Sequence, residues 1–464
     1  MNPEFVLERY FVEGLAHASY LFGHDGVAVV VDPKRDVDGY LADASRLGLR
    51  IIAILETHPH ADFVSGHVEL AQRTGASIYV SHRATARYPH HAARNGDVLA
   101  VGAYEIATLE TPGHSPDSIS WLVRRDGAPV LVFSGDTLFV GDVGRPDLRD
   151  ADEKPETLAG ALYDSLFHVL LALPDTVRVY PAHGQGSLCG RKLGSAPFTT
   201  IGGERLGNWA LQIHDRAEFV RRMTENLPAR PAYFSHAVQA NLDGAPALDT
   251  LPAPRALPEK KFAAAVRAGA VVIDTRGSAI FGAGHFPGSL NIGIASHLFS
   301  TWVGFFAPFG KPIVLVVETA AAASRARLEL ARIGYDHIAG YLKADSLAEM
   351  RQLSQLSVCD LRRELDSSQP PVVLDVRTVD EWKSGHIAGA RHIPLPALTT
   401  RLSELPRDSA LAVVCGSSYR SSIAACLLEQ HGFTRLQNVM GGMSAFRETK
   451  CPGLPPAELV AQRD

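Results

Sequence analysis

Up to about residue 240 the chain alternates short, unbroken apolar runs with segments in which apolar residues recur at helical spacing. The runs "GVAVVVDP" (26–33) and "LRIIAILETH" (49–58) have the length and β-branched content of buried strands. Between them, "VDGYLADASRLG" reads as an amphipathic helix. "ISWLV", "APVLVFSGD" and "VRVYPAHG" predict further strands. His58, His114, Asp136 and His183 each fall where an apolar run gives way to a turn. Residues gathered at the ends of neighbouring strands can converge on one site.

The remainder contains a duplication. "VVIDTRGSAIFGAGHFPGSLNI" (271–292) and "VVLDVRTVDEWKSGHIAGARHI" (372–393) align without a gap, and the Asp-to-His offset is 11 in both (285 − 274 and 386 − 375). Two copies of one fold follow. Each copy is a D-x-R strand end, a G-H turn and a later apolar strand entering a loop and helix, which predicts an α/β fold with a parallel sheet. A linker is expected in the Pro- and Ala-rich "LDGAPALDTLPAPRALP" (242–258), and a second boundary near 352–360. The expected domains are therefore 1–240, 255–352 and 356–464.

At 464 residues the chain is too long for one ordinary core. Hydrophobic residues at 46%, charged residues at 20% and a net charge of -5 describe a soluble folded protein without a basic patch for nucleic acid. The longest apolar runs, such as "LFHVLLAL" (166–173), fall short of the roughly 20 residues of a membrane span, so no membrane association is expected. The start "MNPEFVLERYF" lacks a cationic segment followed by an apolar block, which predicts a cytoplasmic protein. Five cysteines, an odd number scattered along the chain, do not read as a disulfide framework and fit a reducing compartment.

The densest chemistry lies in "ETHPHADFVSGH" (56–67), where His58, His60 and Asp62 have the spacing of a metal-binding loop. His114 in "TPGHSPDS" and Asp136 in "FSGDT" supply a third imidazole and a carboxylate from other strand ends. The ordered set T-H-x-H-x-D, P-G-H, S-G-D and P-A-H resembles the metallo-β-lactamase superfamily over roughly residues 1–235, and with "GDVGRPDL" its persulfide dioxygenase branch. The resemblance implies an αββα sandwich. Most hydrolases of the superfamily hold two zinc-type ions, the second bound in part by a histidine that ends T-H-x-H-x-D-H. Here that position is Phe63, which has no lone pair to offer a metal. One ion is the better fit, and two histidines with one carboxylate around open positions suit non-haem Fe(II). By the resemblance, His58, His114 and Asp136 would hold one Fe(II) per chain. His60, Asp62 and His183 would be pocket residues that orient ligands and water, with ligation by His60 itself as the alternative. Arg145 would sit beside the thiol substrate, where a guanidinium can bind a carboxylate, or would staple its loop through Asp147, or would do both. The Gly-rich, basic "HGQGSLCGRKLG" (183–194) is expected to line the entrance, with Cys189 in a packing role.

In the C-terminal copy, "LAVVCGSSYRSSIAACLL" (411–428) puts Cys415 at the end of an apolar strand and a helical segment directly after it. Backbone N–H groups of such a loop, with the helix N-terminus, favour an anion and hence a thiolate or persulfide. The pattern resembles the rhodanese (sulfurtransferase) family over residues 356–455. The resemblance implies that Cys415 carries the transferred sulfur, that Gly416, Ser417, Ser418 and Tyr419 form the substrate-binding loop, and that Arg420 closes it with positive charge. Asp375 and Arg377 would brace it. Cys359, Cys426 and Cys451 read as buried inert thiols. In the middle copy Glu318 aligns with Cys415, and the stretch down to Arg325 is longer and Ala-rich, so that domain is expected to be catalytically silent.

Together the two resemblances imply a fusion enzyme that oxidises a low-molecular-weight thiol persulfide, such as glutathione persulfide, to sulfite and thiol with Fe(II) and O₂. The rhodanese domain would move sulfane sulfur to or from sulfite or thiosulfate through Cys415. The rivals are a zinc-dependent thioester hydrolase of the glyoxalase II type fused to a sulfurtransferase, and a persulfide-binding sensor. A homo-oligomer is the default expectation.

Overall fold

The computed structural model describes residues 5–149, 153–348, 350–454 and 459–461. The chain divides into two compact units. The first comprises Met1–Pro252 with Gly304–Phe309 and Leu328–Asp336, and the second Ala253–Val303, Gly310–Arg327 and His337–Asp464.

Two six-stranded sheets form the first unit. In order across the first sheet are β1 (Val6–Val12), β2 (His17–His24), β3 (Val27–Val31), β4 (Arg50–Leu55), β5 (Ser77–Ser81) and β6 (His91–Ala93). The second holds β7 (Val98–Val101), β8 (Tyr104–Glu110), β9 (Ile119–Arg125), β10 (Ala128–Gly135), β11 (Arg178–Pro181) and β12 (Thr199–Thr200) in sequential order. Because side chains alternate along a strand, Val29 and Val31 of β3 pack between the sheets with Trp121 and Phe133. Their neighbours Ala28 and Val30 face outward against Tyr40 and Ala44 of the helix Asp38–Arg46 and Leu70 of the helix His67–Thr74. On the far side, Leu122 and Val132 pack on Leu162 and Phe219 of the helices Pro155–Asp164 and Arg216–Thr224. Central strands such as β3 and β4 are thus buried on both faces, which is why they read as continuous apolar runs. The arrangement is the expected αββα sandwich.

Both duplicated segments lie in the second unit. The first copy has four strands: β13 (Val271–Asp274), β14 (Leu290–Asn291), β15 (Ile313–Val317) and β16 (Ile338–Lys343), in the order β14-β13-β15-β16, all parallel. The second copy adds β17 (Ser354–Leu356), β18 (Val372–Asp375), β19 (His386–Ile387), β20 (Arg391–His392), β21 (Leu411–Val414), β22 (Leu436–Val439) and β23 (Leu459–Val460). Its main sheet runs β17-β22-β21-β18-β20, again parallel, and β19 pairs with β23.

The D-x-R signature is a brace in both copies. Arg276 grips Asp274 through Nε (2.9 Å) and Nη2 (2.6 Å) and donates to the Gly284 carbonyl. Arg377 grips Asp375 at the same two distances and donates to the Gly385 carbonyl. The G-H histidines stack on the aromatic residue one turn back, His285 on Phe281 (3.9 Å) and His386 on Trp382 (3.5 Å between centroids).

The cysteine expectation is corrected at one pair. Cys359 and Cys451, separated by 92 positions in sequence, form a disulfide with Cα atoms 5.4 Å apart. Cys451 lies in the core cluster of the last copy and Cys359 packs against it, where Leu361 and Phe446 join the helices Val358–Leu365 and Gly442–Glu448. Spacing alone could not reveal a pairing made by tertiary packing, and the cysteine count no longer argues for a reducing compartment. Among the described residues, no helix is long and apolar enough to cross a membrane.

Candidate metal centre and thiol loop

Four strand ends build the centre. His58 follows β4, His114 lies in the turn between β8 and β9, Asp136 follows β10 directly, and His183 follows β11. Gly135 permits the turn at Asp136, with φ of +54° and so little room that a Cβ would sit 2.6 Å from Thr57 Oγ1.

Ligand-type atoms of His58, His114 and Asp136 all lie within 4.8 Å of one another, and all three residues are buried. His58 Nε2 is 3.9 Å and His114 Nε2 3.4 Å from Asp136 Oδ2. The opposite ring nitrogens are occupied: His58 Nδ1 is 3.0 Å from Thr57 Oγ1, and His114 Nδ1 is 3.0 Å from the Arg145 carbonyl. Such partners fix ring orientation and leave Nε2 to coordinate. His58 Nε2 and Asp136 Oδ2 have no hydrogen-bond partner among the described residues, which is costly for buried polar atoms unless a ligand takes them up. The donor set fits a metal ion.

His183 lies between two carboxylates, with Nδ1 2.7 Å from Asp136 Oδ1 and Nε2 2.7 Å from Asp62 Oδ2. Burial lowers its pKa, but Asp136 and Asp62 outweigh burial and hold it well above the ordinary imidazole value. Conversely, burial raises Asp136, yet His183 and the other histidines hold its carboxyl well below the usual range. Burial, reinforced by His60, drives His58 well below its ordinary value, so its ring is neutral, as a ligand must be.

His60 packs beside His58, with ring centroids 4.1 Å apart, and its Nε2 lies 3.2 Å from Asp32 Oδ1. Asp32, Glu56 and His60 form their own buried set, and burial, aided by Asp32, pushes Glu56 up to about 8. Asp62, His183 and Cys189 form a third. Phe63 is buried and lies 3.8 Å from His17, 4.3 Å from His60 and 6.5 Å from His183 between ring centroids.

Arg145 makes the loop-staple contacts with Asp147. It is 1% exposed, binds Asp147 through Nε and Nη2 at 2.7 Å each, and also donates to the Leu188 and Pro228 carbonyls. Cys189 is likewise buried, and burial raises its thiol well above the ordinary value.

Sequence reasoning passed over His17, Asp32, Tyr233 and Asn241. Asp32 accepts from Thr57 N (2.7 Å) and Thr57 Oγ1 (2.9 Å), bracing the metal loop from the end of β3. Asn241 donates to the His60 and Phe63 carbonyls and accepts from Ser65 N, all at 2.8 Å, while Tyr233 donates to the Asp62 carbonyl. The D-P after an apolar run was a signal for Asp32. Nothing local signals Asn241, 176 residues beyond Ser65.

Cys415 is buried immediately after β21. Its Sγ accepts from Ser418 N at 3.2 Å and lies 3.4 Å from Ser421 Oγ. Ser418 has φ of +88°, which turns the chain into the helix Tyr419–Gln430. The G-G-M motif clamps the loop from outside: Met443 N and Ser444 N donate to the Cys415 and Gly416 carbonyls. Gly442 must be glycine, since a Cβ there would lie 2.3 Å from the Cys415 carbonyl oxygen. Arg420 forms a two-pronged ion pair with Glu381 (2.7 and 2.6 Å) at the loop's edge. In the other copy only Glu318 and Thr319 separate β15 from the helix Ala320–Ala331, against the four residues Cys415–Ser418. The connection there is shorter, not longer as the alignment suggested. It has no room for a cradle of N–H groups.

The description "Metallo-beta-lactamase superfamily" matches residues 12–183, and "Rhodanese-like domain" matches residues 357–449. A metallo-beta-lactamase of Staphylococcus aureus, solved as a crystal structure, is 31% identical, covers 74% of this chain and 99% of its own, and superposes with a TM-score of 0.66. The mitochondrial persulfide dioxygenase of Bos taurus is 29% identical over 51% of this chain and 87% of its own length. A hydroxyacylglutathione hydrolase of Methylobacillus flagellatus is 35% identical over 35% of this chain and 60% of its own length. With the αββα sandwich and the strand-end metal residues, these likenesses place the chain in the metallo-β-lactamase superfamily, joined to a C-terminal rhodanese-like domain.

Proposed function

We propose that the chain is a bifunctional enzyme of sulfur metabolism, in which the sandwich oxidises a low-molecular-weight thiol persulfide with O₂ and the last repeat transfers sulfane sulfur through Cys415. The observation that carries this reading is the trio His58, His114 and Asp136 beside a buried Phe63 where a further ligand would be needed for a second ion. An Fe(II) ion held by that trio would supply adjacent open positions for O₂ and a persulfide sulfur. The likeness to persulfide dioxygenases over half the chain supports the assignment.

The chain's own residues prepare the site. Thr57 and the Arg145 carbonyl orient the two imidazoles. His183, held between Asp136 and Asp62, fixes the free oxygen of Asp136 toward the trio. Phe63 and His17 fill the neighbouring space with packed rings and exclude water. In the last repeat, the Cys415 thiolate attacks the sulfane sulfur of a donor such as thiosulfate. A new S–S bond forms on Cys415 and sulfite leaves with the electron pair of the broken bond. An acceptor thiolate then takes the outer sulfur and regenerates Cys415.

A second reading, zinc-dependent thioester hydrolysis, draws on the group Asp62, His183 and Cys189 and on the likeness to hydroxyacylglutathione hydrolase. Oxygen consumption by iron-loaded protein supplied with glutathione persulfide separates the two. Uptake with sulfite release is expected. Turnover of a glutathione thioester by zinc-loaded protein, without oxygen uptake on persulfide, would establish the rival.

A further inference from the structure

The helix Tyr419–Gln430 begins where the thiol loop ends, so any sliding of the helix carries the loop's N–H groups away from Cys415. One face of this helix is fixed to the repeat that has no thiol. Tyr419 Oη donates to the Gly293 carbonyl (3.3 Å), Ser422 Oγ donates to Asn291 Oδ1 (2.6 Å), and Asn291 N donates to Cys426 Sγ (3.3 Å). Further along, Glu429 pairs with His285 (3.3 Å) and Arg351 (3.0 Å), and Gln430 donates to the Gly288 carbonyl (2.8 Å). Positions 419, 422, 426, 429 and 430 recur at helical spacing, so the contacts form one continuous stripe.

Asn291 is the hub of this stripe. Its amide nitrogen donates to the Arg276 (2.8 Å) and Asp274 (3.3 Å) carbonyls, the strand end of its own repeat. The residue aligned with it in the other repeat is His392, whose Nε2 lies 2.9 Å from the Arg377 carbonyl. The duplication has kept this strand-end contact in both copies. At position 291 an amide makes the contact with its nitrogen and leaves an oxygen for Ser422. Asn291 and Ser422 are both buried, so neither can exchange its partner for water. Apolar contacts alone would tolerate axial sliding, whereas a buried hydrogen bond fixes register.

We propose that the repeat without a thiol is a working part of the sulfur-transfer site: Asn291 is a positioning residue that sets the axial register of the helix Tyr419–Gln430 and so holds the loop around Cys415. The proposal rests on the reading of Cys415 as the sulfur carrier. The loop's N–H groups stabilise the sulfur while it changes hands, so displacing them lowers turnover more than donor binding.

The test uses the full chain and its Asn291→Ala, Ser422→Ala and doubly substituted variants, with thiosulfate as donor and glutathione as acceptor. Each single substitution should lower kcat by roughly tenfold, less than the hundredfold that a 1 Å misplacement can cost. KM for thiosulfate should stay within about twofold, as for a group acting in the transition state. The double variant should be no slower than the slower single, because both remove one interaction. Ser422→Thr, which keeps a hydroxyl to donate to Asn291 Oδ1, should recover most of the rate. Oxygen uptake on glutathione persulfide reports the fold of the rest of the chain. If Asn291→Ala fails to fold, Ser422→Ala, which deletes a single oxygen, decides alone. An unchanged kcat in Ser422→Ala, or losses that multiply in the double variant, would overturn the positioning role. Equal turnover by the unaltered chain and by Cys415→Ser would instead overturn the reading of Cys415 itself, and the proposal with it.

Discussion

The phenyl ring of Phe63 lies against the imidazole of His17, with centroids 3.8 Å apart and planes inclined by 32°. Neither nitrogen of His17 has a hydrogen-bond partner among the described residues. The two rings therefore pack as a plug near His183, whose ring centroid lies 6.5 Å from that of Phe63. Replacing Phe63 with His should open that plug and add a donor to Asp62 and His183, which already lie 2.7 Å apart. Elemental analysis should show total metal content rising from one toward two ions per chain, and oxygen uptake should fall by roughly tenfold or more as the surroundings of the first ion change.

Thr57 connects the buried Asp32 carboxylate to the ring of His58. Thr57→Val removes that hydroxyl at nearly constant volume. Metal affinity, measured by competition with a chelator, should fall about 10–100-fold, the range seen when a partner of a ligating histidine is lost.

Cys415→Ser should abolish sulfur transfer and leave oxygen uptake intact, as parallel assays on one preparation would show. Glu318→Cys should not create a second transferase, because two residues cannot form the cradle that four form around Cys415. Sulfur transfer by the variant Cys415→Ser/Glu318→Cys would contradict that geometry.

Burial pushes the Glu381 carboxyl up, but Arg420 outweighs it and lowers the pKa from 4.5 to about 2. A depressed folded-state value contributes stability that is complete above the unfolded value and is lost as pH falls through the window from about 4.5 to about 2. Thermal unfolding of the chain and of Glu381→Gln should therefore differ most near neutrality and converge below that window. The pair is partly exposed, so the difference should be small.

Much of this was readable from the sequence, for reasons that differ by residue. Strands buried on both faces, such as β3 and β10, announce themselves as apolar runs, and His58, His114, Asp136 and His183 are marked by standing at their ends. The D-x-R braces were visible because duplication repeats them. Asn241, Tyr233 and the Cys359–Cys451 disulfide were not, since each depends on segments that only the packed fold brings together. Arg145 was legible as a charge near the site, but its partners decide its role, and the Leu188 and Pro228 carbonyls are far away in sequence.

The most direct measurement is the metal-to-chain ratio at which activity saturates when iron is added back to metal-free protein. Oxygen uptake on glutathione persulfide should reach its plateau at one iron per chain, with His58→Ala and Asp136→Ala failing to respond. A plateau only at two ions per chain, with zinc restoring thioester hydrolysis and no iron-dependent uptake, would contradict the single-ion oxidative account.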